Sequence, residues 1–225
     1  MRETPAGGQN ERMASFRTDR GLDRLVNFSD AAVAIAITLL VLPLVDIATL
    51  ITRPGTTVWT LFTAHWGTFL AFAISFVVIA RFWVVHHRVF EFVRDYNQLL
   101  VGLNFLWLAS IVFLPFATNV LSLAPGNQPG VYALYIGTLI VTSTSMLLME
   151  IVLMRNPGLL REGVQGGLRL SSSAIATALF AVALVLAVLV PAVGILSLLL
   201  LLLSRPVQLL ADRWMRHDDT STPAP

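Results

Sequence analysis

The side chains able to do chemistry in this chain are few, and they recur at one place. Asp30, Trp83, His86 and Asn104 each stand near the same end of one of three separate apolar runs, with Ser29 directly before the aspartate. A carboxylate inside an apolar run costs several kcal/mol unless it is paired. Asp30 therefore needs donors, and His86, Asn104 and the Trp83 indole are the ones available. Two chemistries fit. One is structural, a hydrogen-bonded brace holding one helix on two others. The other is proton handling by Asp30 and His86, as in a proton-coupled carrier or a proton pathway. Metal chemistry fits poorly: His87 and Glu91 stand at i, i+4 beside His86, but no third ligand completes a site. The chain has no cysteine, which removes disulfides, thiolate zinc sites and cysteine nucleophiles. It shows no P-loop, no G-x-S-x-G and no H-E-x-x-H, and nothing around Ser29-Asp30 supports a nucleophile, so neither an enzyme nor a bound cofactor is expected.

The first apolar run carries a second pattern. At about 100° per residue, Arg24, Phe28, Leu39 and Leu42 fall within roughly 40° of Ile35, Thr38 lies about 60° away, and Asp30 lies about 140° away. One face is thus a bulky apolar stripe with a threonine beside it, and the other presents the carboxylate. Ala31, Ala32, Ala34 and Ala36 permit close helix approach. The stripe alone also fits a lipid-facing surface, with Ser29 and Asp30 acting as a helix N-cap.

These residues have to be positioned by membrane helices. Of 225 residues, 56% are hydrophobic and only 12% charged, against roughly 25% charged in a soluble domain. The apolar residues are segregated into long runs, which excludes a disordered chain and a soluble nucleic-acid binder. Six spans are expected: 28–47, 61–85, 99–121, 131–154, 173–190 and 193–210, the last two split at Pro191 as a hairpin, with Pro43 kinking the end of the first. Every basic residue is arginine. Arg2, Arg12, Arg17, Arg20, Arg24, Arg81, Arg88, Arg94, Arg155, Arg161, Arg169, Arg205, Arg213 and Arg216 share one side of this topology, and Arg53 alone takes the other. The positive-inside rule then puts both termini in the cytoplasm of a multi-pass cell-membrane protein. The first 24 residues are polar and arginine-rich, so no signal peptide is expected. The predicted organisation is a cytoplasmic tail over 1–23, disordered to about Asp19, an all-α six-helix domain over 24–211, and a cytoplasmic tail over 212–225. Trp59, Trp66 and Trp214 suit interfacial belts. Glu150 is expected to pair with Arg155 or cap its span, and Thr142–Ser145 to serve helix packing.

At Arg24-x-x-x-Phe28-Ser29-Asp30, followed by an Ala-Ile-Thr-Leu-rich span, the sequence resembles the first-helix signature of the transmembrane protein 175 family of potassium channels. Phe82-Trp83-Val-Val-His86-His87-Arg88-Val-Phe90 and the stretch from Leu103-Asn104-Phe105 to Phe113-Leu114-Pro115-Phe116 continue the likeness in order, over about residues 24–118. After about residue 120 no motif matches. The resemblance implies a bacterial-type subunit with one six-span repeat that assembles as a homotetramer, the first helix of each copy lining the pore. It implies a constriction at Ile35 and a threonine at Thr38, with Leu39 and Leu42 continuing the lining. Potassium would pass near Thr38, without the Thr-Val-Gly-Tyr-Gly filter of ordinary potassium channels.

Physically, four Ile35 side chains at an axis form an apolar ring that gates by dewetting, and Ile35 to Leu42 spans about 10.5 Å of helix rise. The expectation is a homotetrameric, potassium-permeable cation channel with a hydrophobic constriction, its partners being the bilayer and monovalent cations. The alternative is the carrier or proton pathway through Asp30 and His86. No repeat between spans 1–3 and 4–6 is visible, which weighs against a carrier built on inverted repeats.

Overall fold

The computed structural model describes residues 7–124, 128–163 and 170–189, with side chains described for 20–124, 128–163 and 173–189. Seven α-helices are described: α1 (Gly7–Leu39), α2 (Leu42–Ala48), α3 (Val58–Ala64), α4 (Trp66–Glu91), α5 (Gln98–Leu123), α6 (Pro129–Arg155) and α7 (Leu170–Leu189). Among the described residues there is no strand, only an isolated bridge between Val93 and Leu160. Four stretches are long and apolar enough to cross a membrane: Arg20–Thr52, Trp66–Glu91, Gln98–Leu123 and Pro129–Arg155. The 20 residues of α7 stand where the fifth span is expected. The sixth span, Pro191, Trp214 and the 212–225 tail lie outside the described residues.

Three boundaries differ from the sequence expectation. The first helix starts at Gly7, inside the polar stretch expected to be disordered to about Asp19; Glu, Arg, Met and Ala are good helix formers, and polarity alone does not forbid a helix. That helix ends at Leu39, and Leu42 opens α2 with Pro43 in its first turn. Proline has no N–H for the Leu39 carbonyl, so the break falls just before it. The 100° stepping that put Leu42 on the Ile35 face does not carry across the break. The expected second span, 61–85, is divided at His65: α3 opens on a capping box between Thr57 and Thr60 and ends at Ala64, and the long helix starts at Trp66 and runs on to Glu91.

Burial follows helical periods. On α1 the buried positions are Leu22, Ser29, Val33 and Ala36, spaced by seven, four and three, and Leu40 in the turn that follows is buried with them. This face packs on α5 and α4, while α6 lies between α5 and α7. Gly21 lies against Tyr96, just before the start of α5, and Ser29 meets Asn104 further along both helices, so α1 and α5 run parallel. His86 meets Asn104 and Ser75 meets Thr118, so α4 is antiparallel to α5. The ends of α4 and α6 are tied by Arg94 N–H donating to the Leu159 carbonyl at 2.8 Å and Arg161 N–H donating to the Phe92 carbonyl at 3.0 Å. The same end carries Arg20, Arg24, Arg88, Arg94, Arg155 and Arg161, whereas the linker of Arg53 lies at the other.

Candidate functional site

α1 has two unlike faces. Ala36 is fully buried and Val33 and Leu40 nearly so, while Ile35 is 60% exposed. Phe28, Leu39 and Leu42 are exposed with it, as are Arg24 and Thr38. A single chain therefore leaves the Ile35 stripe largely uncovered, with Phe28 at its near end set beside Phe105 of α5. The Thr38 hydroxyl donates to the Ile35 carbonyl at 2.7 Å. Its hydrogen is thereby committed to the backbone, and the oxygen lone pairs remain to accept. Arg24 borders a half-open hollow of about 360 Å³ with Leu25, Phe28, Tyr96, Val101 and Phe105. Gly21 is the neighbour on which Tyr96 rests, since an added Cβ there would fall on the tyrosine hydroxyl.

The polar set occupies the other side of the helix. His86 Nε2 donates to Asn104 Oδ1 at 2.7 Å, Asn104 Nδ2 donates to Ser29 Oγ at 2.9 Å, and the Ser29 hydroxyl donates to the Leu25 carbonyl at 2.9 Å. Three helices are thus joined by one directed series of donors, all of it buried. The His86 ring is held between Trp107, at 4.1 Å between centroids, and Phe90, at 4.4 Å. Asp30 takes a separate bond, accepting the Trp83 indole N–H at 2.8 Å. Of the three donors expected for Asp30, only the indole reaches it; Asn104 and His86 are turned to Ser29 and to each other. The reason is the step of about 100° between neighbours on a helix. Ser29 points into α5, and Asp30 turns toward the flank where Trp83 stands.

Trp83→Phe keeps the ring and deletes the N–H that Asp30 accepts. It is expected to cost about 1–3 kcal/mol, read as a lower melting temperature in detergent. Asp30→Asn keeps an acceptor oxygen and should cost less. A larger loss from Asp30→Asn than from Trp83→Phe would make the charge, rather than the hydrogen bond, the stabilising feature.

Other residues singled out in the sequence are placed as follows. His87 Nε2 and Glu91 Oε1 are 3.5 Å apart, an i, i+4 pair, and His87 stacks on Trp83. No group of three or more candidate metal ligands exists among the described residues. Trp59 and Trp66 are exposed. Thr142 donates to Ser110 at 2.9 Å and Ser143 shares a 2.7 Å hydrogen bond with Thr177, so these hydroxyls join helices. Glu150 is bonded by Ser173 of α7 rather than by Arg155, which is exposed. Sequence reasoning passed over Trp107, fully buried against His86, and the linked hydroxyls of Ser75, Thr118 and Tyr135. Nothing in an unbroken apolar run distinguishes such positions.

Comparison with known proteins bears on the same stretch. Residues 24–115 match the model of a family described as the endosomal/lysosomal potassium channel TMEM175. The chain is 38% identical over 103 residues to a potassium channel of Streptomyces collinus, covering 44% of this chain and 47% of that protein. It is 38% identical over 99 residues to a potassium channel of Chamaesiphon minutus, covering 44% of this chain and 48% of that protein. Each match thus spans about half the relative's length. The fold is similar to the crystal structure of a lysosomal potassium-selective channel TMEM175 homolog from Chamaesiphon minutus, with a TM-score of 0.64 and 23% identity over 84% of this chain and 97% of that one.

Proposed function

From a chain that resembles the TMEM175 family over residues 24–115, we propose that it is one subunit of a homotetrameric, potassium-permeable cation channel. The observation that carries the reading is the exposed Ile35 stripe beside a fully packed opposite face on the same helix. Four copies of α1 turned to a common axis cover the stripe and leave the packed face inside each subunit. Ile35 then forms an apolar ring that excludes hydrated ions when narrow. Leu39 extends the apolar lining, Leu42 follows beyond the break, and Arg24 and Phe28 lie toward the arginine-bearing end. We place that end in the cytoplasm, with both termini, tails over 1–23 and 212–225, and the channel domain over 24–211. Thr38 offers an oxygen that replaces part of a cation's hydration shell. One hydroxyl per subunit discriminates potassium from sodium less sharply than a cage of carbonyls. The brace of Ser29, Asp30, Trp83, His86 and Asn104 fixes the rotation of α1, and with it the residue that meets the axis.

The direct test is reconstitution in liposomes under potassium and sodium gradients. Passive, uncoupled potassium flux is expected. Strict coupling to protons would overturn the reading in favour of a carrier through Asp30 and His86.

Thr38→Ala removes the hydroxyl from the exposed face and leaves the helix intact. Total cation flux should persist, with the reversal potential under mixed potassium and sodium gradients moving toward the sodium value. An unmoved reversal potential would take Thr38 out of the selectivity element.

A further inference from the structure

We propose that Glu150 is a proton-binding site that latches α7 onto α6, whether or not the assembly conducts potassium. Glu150 is 3% exposed within α6, five residues before that helix ends at Arg155. Its Oε1 accepts the Ser173 hydroxyl of α7 at 2.7 Å. Its Oε2 is buried without a hydrogen-bond partner among the described residues. An ionised carboxylate in this place holds a charge met by a single hydroxyl, whereas a protonated one leaves at most a neutral O–H unpaired, which costs far less.

The seam around the carboxyl is built from hydroxyls. Ser143 and Thr177 are bonded at 2.7 Å, and the Thr177 hydroxyl also lies 2.9 Å from the Ser173 carbonyl oxygen. A hydroxyl has one hydrogen, so Ser143 donates to Thr177 when Thr177 donates to the carbonyl. The series Ser143–Thr177–Ser173 ends on Glu150, and it holds α7 to α6 on the side where the two helices approach the arginine-bearing end.

No titratable side chain on α5 or α7 among the described residues offers compensation. α4 carries Arg81, His86, His87, Arg88 and Glu91, and the turn after α6 carries Arg161 and Glu162. His86 Nε2 is committed to Asn104, Glu91 lies against His87, and Arg161 Nε donates to the Val93 carbonyl. On α6 itself Tyr135 bonds Ser75, Tyr132 lies near the far end, and Arg155 is exposed. The step is a proton equilibrium. The carboxylate takes a proton from water to give the carboxylic acid, and no other covalent bond changes. Raising the pH on that side removes the proton, leaves a buried charge and loosens α7.

The absence of cysteine makes the test clean. Ala176→Cys puts a sole thiol on the partly buried side of α7. Its modification by a water-soluble thiol reagent is followed in phosphatidylcholine–phosphatidylglycerol vesicles over a pH series, each rate divided by that of a free thiol at the same pH. The corrected rate should rise about tenfold or more with pH as the seam opens. In the Glu150→Gln background it should stay low and flat. Parallel profiles in the two backgrounds overturn the proposal. Infrared spectroscopy of the unsubstituted chain, with carbonyl-labelled glutamate, supplies the second reading. A protonated glutamate band is expected at neutral pH, fading over the range in which the thiol becomes reactive. If that band is missing at neutral pH, the proposal fails even where Glu150→Gln does not fold.

Discussion

Ile35→Asn is expected to raise the single-channel potassium current severalfold and to weaken discrimination between potassium and sodium. The side chain is 60% exposed at the centre of the apolar stripe, so an amide there meets no packed neighbour in its own subunit and should leave folding intact. An apolar ring resists ions because water leaves it when it is narrow. Four amides in its place hold water and lower that barrier. The control is one residue away. Ala36 is fully buried, so Ala36→Val should cost about 1–3 kcal/mol through overpacking and leave the current of whatever assembles unchanged. Single-channel recording of both variants in planar bilayers separates a lining position from a packing one. An Ile35→Asn assembly with normal size and unchanged current would put the constriction elsewhere.

Trp107→Ala should produce the largest loss of stability. Trp107 is fully buried and stacks on His86 with an angle of 17° between ring planes. Truncating a buried tryptophan costs about 3–5 kcal/mol, and here it also removes one wall of the slot that orients the imidazole for Asn104. Asn104→Leu keeps most of the volume but leaves His86 and Ser29 without their partner, at about 1–3 kcal/mol. Thermal melting in detergent should rank the unsubstituted chain above Asn104→Leu, and Asn104→Leu above Trp107→Ala. A Trp107→Ala protein that melts with the unsubstituted chain would mean that the ring is not needed to hold the three helices together.

Among the described residues the long apolar helices were legible because apolar runs of the required length leave little choice. Rotation about each axis was legible only in part. The stripe through Ile35 gave α1 an exposed face, but whether Ser29 or Asp30 meets α5 depends on about 100° of rotation that no residue announces. The donors were therefore assigned to Asp30, and the structure turns Asn104 toward Ser29. Pro43 signalled a kink, yet its effect falls on Leu40 and Val41, because a proline disturbs the turn before it. Trp107 stayed hidden because it stands among other large apolar residues, Phe105, Leu106 and Leu108, that suit a buried position equally well. The partner of Glu150 stayed hidden because Ser173 lies 23 positions away on a helix with no motif of its own.

The sequence separations within the brace also impose a timetable on synthesis. Trp83 follows Asp30 by 53 residues, and Asn104 follows Ser29 by 75. At translation rates of about 5–20 residues per second, Ser29 waits roughly 4–15 s for its partner to be made. Asp30 obtains its donor first, when α4 arrives, so the newborn first helix is relieved of its most costly group before α5 exists. α5 then docks alongside an antiparallel pair already in place. A lesion at Trp83 would therefore strike during insertion, exposing the unfinished chain to quality control, whereas one at Asn104 would strike a pair of helices that had already come together.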